Sequence, residues 1–146
     1  MATGYVETSA LMRALIEGDA KLEARLAKMK RVVTSTLTFL EAHRTLWWAE
    51  REGRADRRLL RTARHKLREL ESSWASRPID DAVLQRGRAA FPVEPIRALD
   101  ALHVATAVLW HDTVEEVVVF SYDQRVRDNA EALGMEVQPM GLQPQA

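Results

Sequence analysis

Short apolar runs alternate along this chain with stretches in which apolar residues recur every third or fourth position, the pattern of strands separated by amphipathic helices. Gly4-Tyr5-Val6-Glu7 reads as a first strand, after which Thr8 or Ser9 caps a helix running to about Glu17. Gly18-Asp19 makes a turn ahead of a charged helix that ends near Lys28. Arg31 to Ser35, built around Val32-Val33, predicts a second strand feeding a helix from Thr36 to about Glu52. Gly53 interrupts, and the next helix spans about Ala55 to Trp74.

Pro78 closes that segment. Asp80 suits the N-cap of a helix stopping before Pro92, and Pro95 precedes a helix from about Arg97 to Trp110. Val117-Val118-Val119-Phe120, within 116–121, is the strongest strand signal, and its unbroken apolar character predicts burial on both faces, as in a parallel sheet. Gln124 to Leu133 reads as the last helix, closed by Gly134, with Met135 to Val137 as a final edge strand. The alternation predicts a three-layer α/β domain over 1–137, a parallel sheet flanked by helices, with a loose polar tail at 138–146.

At 146 residues, 47% hydrophobic and 29% charged, the chain has the length and composition of one folded domain. The absence of cysteine excludes a disulfide scaffold, a thiolate zinc site and a cysteine nucleophile, and suits a reducing compartment. No run approaches the ~18 apolar residues of a membrane span, and the polar start MATGYVETS is unlike a signal peptide. A soluble cytoplasmic protein without membrane contact is expected. The common nucleotide-binding glycine loops and the GxSxG nucleophile elbow are absent.

Net charge is zero, which alone argues against a polyanion partner, but the average hides a split. Residues 51–68 carry eight Arg or Lys against Glu52 and Asp56, a local charge of +6, leaving −6 on the remainder. In the basic helix Leu60, Ala63, Leu67 and Leu70 share a face, with Arg54, Arg57, Arg58, Arg61, Arg64 and Arg68 roughly opposite. That face is either a solvated surface or a contact for RNA phosphates, for which Arg54, Arg57, Arg58 and Arg61 are the candidates.

Ligands of open parallel sheets bind beyond the carboxyl ends of the strands. Glu7 closes the first strand, Asp123 follows the Val117–Phe120 strand, and Glu41 and Asp100 fall in the opening turns of two helices. All four acids can therefore gather at one sheet edge. Each also has an ordinary reading: Glu7 a solvated strand end, Glu41 the partner of Thr38 in a capping box, Asp100 a favourable charge at a helix start, and Asp123 an N-cap. Taken together they repel: two carboxylates ~4 Å apart cost about 4 kcal/mol at an effective dielectric near 20. A cation relieves that repulsion, and an all-oxygen donor set suits Mg²⁺ or Mn²⁺. Such an ion lowers the pKa of a coordinated water and offsets charge building on a phosphoryl group, which is the chemistry of phosphodiester hydrolysis.

The surroundings of the acids carry a resemblance. "YVETSALMRAL", "TSTLTFLEAHRTL", "PIRALDALHVATAVLW" and "VVVFSYDQRVRDNAEALGMEV" resemble, in order, the blocks of PIN-domain ribonucleases of the VapC toxin type, over about residues 4–137. The resemblance implies a parallel sheet flanked by helices and RNA cleavage with Mg²⁺ or Mn²⁺. It implies Glu7, Asp100 and Asp123 as metal ligands, with Glu41 binding metal directly or through water, or orienting the attacking water. It further implies a small antitoxin partner and a homodimer. One departure is plain: the family's usual first acid is Asp, and Glu7 carries its carboxylate one bond, roughly 1.5 Å, further out. A retained site is expected, one that is either shifted, better suited to the more tolerant Mn²⁺ than to near-octahedral Mg²⁺, or weak.

Ser9 and Ser121 lie beside the acids and are expected to support them, by hydrogen bonds to the carboxylates or to metal-bound water. Trp47 and Trp48 read as a dimer or core contact with one ring packed inward, since neighbouring helical residues point about 100° apart, or as a base-stacking pair. The four histidines show no metal-ligand spacing; His103, three residues after Asp100, orients that acid or serves the core. Asp128 falls off the Asp123 face. The function expected is a Mg²⁺-dependent endoribonuclease, the toxin of a toxin–antitoxin pair. Its rivals are a catalytically weak or inactive PIN module that binds RNA or a protein partner, and an acidic-pocket phosphohydrolase of different α/β topology.

Overall fold

The computed structural model describes residues 2–114 and 116–142. Among them, five parallel strands form one sheet: β1 Thr3–Val6, β2 Arg31–Ser35, β3 Ala75–Arg77, β4 Val117–Phe120 and β5 Glu136–Gln138, in the order β3-β2-β1-β4-β5. The helices are α1 Thr8–Met12, continued by a π-helical turn Arg13–Glu17, then α2 Ala20–Ala27, α3 Thr36–Arg51, α4 Arg57–Ser73, α5 Asp81–Arg88, α6 Ala98–Thr113 and α7 Gln124–Ala132. The three-layer α/β architecture expected from the alternation is present.

The two-residue period of the strands divides the core. Val6, Val118 and Phe120 face the layer of α1, α2, α3 and α4, where Leu11, Leu22, Phe39, Leu46, Leu60 and Leu67 are buried. Tyr5, Val33, Val117 and Val119 face the other layer, among Val104 of α6, Val126 of α7 and Val137. β1 and β4 are buried along their whole length, which explains the unbroken apolar signal of Val117–Phe120. Gly4 is demanded by this packing, since a Cβ there would stand 2.9 Å from Met29 and 3.1 Å from Phe120.

Successive strands leave β1 in one direction to β2 and β3, then return to its other side for β4 and β5. The order therefore reverses between β1 and β4, the position at which parallel sheets open a crevice at their carboxyl ends.

Several boundaries differ from the sequence expectation. β3 is absent from the sequence expectation: Ala75 and Ser76 are exposed, and the strand joins the sheet through its backbone pairing to β2, so it carries no apolar pattern. α1 is capped by Glu7 rather than by Thr8 or Ser9, and α4 starts at Arg57 with Asp56 as its cap rather than at Ala55. β5 extends to Gln138, and Pro139 is tied down by Arg127 Nη2 at 2.6 Å, so the polar segment is ordered at its start. Its end, 143–146, lies outside the described residues.

Candidate active site

Glu7 leaves the carboxyl end of β1 and caps α1. Its Oε2 accepts from the Ser9 amide at 3.0 Å, and its Oε1 accepts from Ser121 Oγ at 2.6 Å and from the Ser9 hydroxyl. Only 5% of the residue is exposed, so the solvated strand end is overturned: a carboxylate taken out of water requires such donors. The two serines are themselves held, Ser9 Oγ accepting from the Tyr122 amide at 2.8 Å and Ser121 Oγ from the Asp123 amide at 3.1 Å. Ser9 and Ser121 thus clamp Glu7 across the reversal between β1 and β4.

Asp123 caps α7, its Oδ1 accepting from the amides of Arg125 at 3.0 Å and Val126 at 3.2 Å, as its N-cap reading expected. Asp100 occupies the first turn of α6 and is half-buried. Burial pushes its carboxyl up, and the charges of Asp123 and Glu7 push it further, outweighing His103 and Arg97. These three acids share one electrostatic neighbourhood, and among the described residues no side chain or amide donates a hydrogen bond to Asp100.

Glu41 stands slightly apart, on the second turn of α3. The capping box expected of it does not form: α3 is capped by Ser35, whose Oγ accepts from the Leu37 amide at 3.0 Å. Instead Oε1 of Glu41 meets Thr8 Oγ at 2.7 Å and His103 Nε2 at 2.6 Å. Burial raises the Glu41 carboxyl, but the hydrogen bonds from His103 and Thr8 outweigh it and hold the group below the usual range. His103 is 2% exposed, and its Nδ1 lies 3.1 Å from the Tyr5 hydroxyl. The Tyr5 phenol is held well above its ordinary range by complete burial and by the charges of Glu7 and Glu41. The orienting role toward Asp100 considered for His103 is thus not what the ring does; it braces Glu41.

The structure links Glu7 directly to the Asp123 backbone through Ser121, couples Asp100 to both acids by charge, and sets Glu41 beside Thr8, the neighbour of Glu7. Tyr5, Thr8 and His103 escaped the sequence reading as a set. The only signals available were the position of Thr8 within the first block and of His103 within the third.

The basic residues divide. Arg57 and Arg61 line a groove of about 370 Å³ together with Arg64, Arg68 and Glu50. Arg54 does not join them: it pairs with Glu52 at 2.5 Å and borders a separate, largely apolar groove beside Trp48. Arg58 is exposed on α4 outside the groove. Nor does one of the paired tryptophans pack inward, since Trp47 and Trp48 are 43% and 46% exposed and meet edge to face at 5.1 Å. Arg44 and Arg51 stack on Trp47, giving it polar cover in place of a core.

Sheet order, reversal point and acidic edge define a known class. The PIN domain profile matches residues 4–132, and the chain belongs to the PIN-domain family. It is similar to Ribonuclease VapC35 of Mycobacterium tuberculosis, 31% identical over 139 residues that span 91% of this chain and 93% of that protein. Among solved structures it resembles VapBC-5, a toxin–antitoxin family member from Mycobacterium tuberculosis, with a TM-score of 0.60 at 20% identity over 94% of this chain and 97% of the other. It also resembles VapBC2 of Rickettsia felis bound to a promoter DNA fragment, with a TM-score of 0.62 at 11% identity over 93% of this chain and 97% of the other. The rival of a different α/β topology is thereby excluded. No helix among the described residues is long and apolar enough to cross a membrane.

Proposed function

We propose that the domain is a divalent-metal-dependent endoribonuclease, the toxin of a type II toxin–antitoxin pair, working in the cytoplasm. The observation that carries this reading is the gathering of Glu7, Asp100 and Asp123 around the β1–β4 reversal, with Asp100 bearing a raised proton affinity and no hydrogen-bond donor among the described residues. The name of the relative Ribonuclease VapC35 supports the substrate class.

Among the described residues no three His, Asp or Glu side chains stand close enough to hold an ion as they are. The donor set nevertheless fits one: carboxylate oxygens throughout, hard ligands matched to Mg²⁺ or Mn²⁺, with a repulsion at Asp100 that a dication relieves. Asp100, Asp123 and Glu7 would hold the ion, which when bound supplies Lewis acidity toward the phosphoryl oxygen and lowers the pKa of water. Ser9 and Ser121 keep the longer Glu7 side chain in place. Glu41, hydrogen-bonded among the described residues through Oε1 alone, orients the attacking water with Oε2. The water oxygen bonds to phosphorus as one bridging P–O bond breaks, leaving a phosphate monoester and a free hydroxyl. A small antitoxin and a second copy of the chain are the partners this reading implies, and Leu40, Trp47 and Trp48 are the apolar side chains α3 leaves exposed.

A second reading, a catalytically weak or inactive module that binds RNA or a protein partner, is favoured by one observation: both oxygens of Glu7 already have protein donors. The two separate on purified protein and labelled single-stranded RNA. Cutting in Mg²⁺ or Mn²⁺ that stops with EDTA and with Asp100→Asn is the expected result, and RNA binding without cutting in either metal establishes the second reading.

A further inference from the structure

His103 is only 2% exposed and has no part in the chemistry just described, yet it touches Glu41, the one of the four acids that stands outside the electrostatic trio. Its surroundings decide where its protons are. The Thr8 hydroxyl has one hydrogen, which it donates to Oε1 of Glu41 at 2.7 Å, so its oxygen meets His103 Nε2 at 3.2 Å only as an acceptor. Nε2 therefore carries a hydrogen, shared between Thr8 Oγ and Glu41 Oε1. On its other side the ring is fixed by the buried Tyr5 hydroxyl at Nδ1, with the two rings edge to face at 6.5 Å.

We propose that His103 is the positioning residue of this site: held by Tyr5 and Thr8, its Nε2–H commits Oε1 of Glu41 to the scaffold and leaves Oε2 as the working oxygen. Tyr5 comes from β1, Thr8 from α1, Glu41 from α3 and His103 from α6, so the brace locks four elements around a single carboxylate. Among the described residues Oε2 has no hydrogen-bond donor, while the Glu41 side chain is 27% exposed, so that oxygen is open to solvent and substrate. A carboxylate on a helix turn otherwise rotates between its rotamers, and fixing one oxygen selects where the other points. The brace deepens the nuclease reading and, for its kinetic part, rests on it.

Two arms test it separately. In protein carrying ¹⁵N-histidine, the long-range ¹H–¹⁵N spectrum is expected to show His103 Nε2 protonated at neutral pH, and a bare Nε2 overturns the proposal with no reaction involved. In the kinetic arm, His103→Leu, which removes the ring N–H, is expected to lower kcat about 10–100-fold, the usual cost of losing an orienting partner, with KM for RNA unchanged. Combined with Glu41→Ala it adds nothing further, because both changes remove one function. A kcat equal to wild type, or losses that multiply in the double variant, overturns the positioning role. Should His103→Leu fail to fold, Thr8→Val at the half-buried rim carries the same kinetic expectation. Wild-type protein that cuts no RNA defeats the nuclease reading, and the spectrum still decides whether Nε2–H faces Glu41.

Discussion

Ser121 Oγ lies 2.6 Å from Oε1 of Glu7, across 114 residues of sequence and across the gap between the ends of β1 and β4. Because Ser121 Oγ also accepts from the Asp123 amide, one hydroxyl sets the spacing of two acids. Removing it leaves a buried carboxylate short of a donor. Ser121→Ala is therefore expected to lose about 1.5–3 kcal/mol, the range for a hydrogen bond to a charged group, read by urea denaturation, and to lower RNA cleavage. A variant as stable as wild type shows that Ser9 alone satisfies Glu7.

Asp100 should give the opposite sign for stability. Its folded carboxyl binds its proton more tightly than in the unfolded chain, so between the ordinary carboxylate value and the raised one the folded state holds more protons. Stability due to this group thus falls as pH rises through that window, and at neutral pH the ionised group is a net cost. Asp100→Asn removes the charge and is expected to raise Tm at pH 7 by a few degrees while abolishing cleavage, with the Tm gain shrinking below the ordinary carboxylate range. Added Mn²⁺ should raise the Tm of wild type, by about 2.7 kcal/mol of stability at one hundred times its Kd, and leave the variant unmoved. Equal Tm values at pH 7 for the two proteins count against the repulsion.

The sequence carried the layers and the acids because both are written in local patterns. Val117–Phe120 announces a central strand, and Glu7, Asp100 and Asp123 stand where elements begin or end. What stayed hidden depends on contacts between distant segments. β3 exists because β2 offers an unpaired edge, with no side-chain pattern of its own to announce it. Glu41 looked like a capping residue because Thr38 stands three positions earlier, but Ser35 caps α3 and leaves Glu41 for His103, 62 residues away. Helical spacing put His103 near Asp100 in sequence; only the packing of α6 against β1 turns its ring to Tyr5 and Glu41. The basic helix was legible as a charge run, whereas the fold sorts Arg54 away from Arg57 and Arg61.

Glu7→Asp tests the departure at the first acid. The shorter side chain withdraws from Ser121 but keeps the charge and makes a better N-cap for α1. Cleavage is expected to stay level or rise, with the Mg²⁺ rate gaining on the Mn²⁺ rate, since Mg²⁺ tolerates misplacement less. Rates measured in parallel in the two ions decide it. A clear loss in both metals means that the clamp of Ser9 and Ser121 is cut to the length of glutamate.

The groove on α4 makes a prediction about salt. Arg57, Arg61, Arg64 and Arg68 follow one another at spacings that keep them on one helix face, and of the four only Arg64 has a carboxylate partner among the described residues, Glu50 at 2.5 Å. Like charges at such spacings weaken a helix by about 0.2–0.5 kcal/mol per pair, a cost that phosphates seated in the groove offset. Each phosphate contact to single-stranded RNA contributes about 0.7 to the slope of log affinity against log salt. Arg57→Ala with Arg61→Ala is therefore expected to flatten that slope by about 1.4 and to raise KM while kcat holds. Fluorescence anisotropy in EDTA reads the slope without turnover, and Arg54→Ala, outside the groove, serves as the control. An unchanged slope in the double variant removes α4 from the RNA path and leaves its arginines as solvated surface.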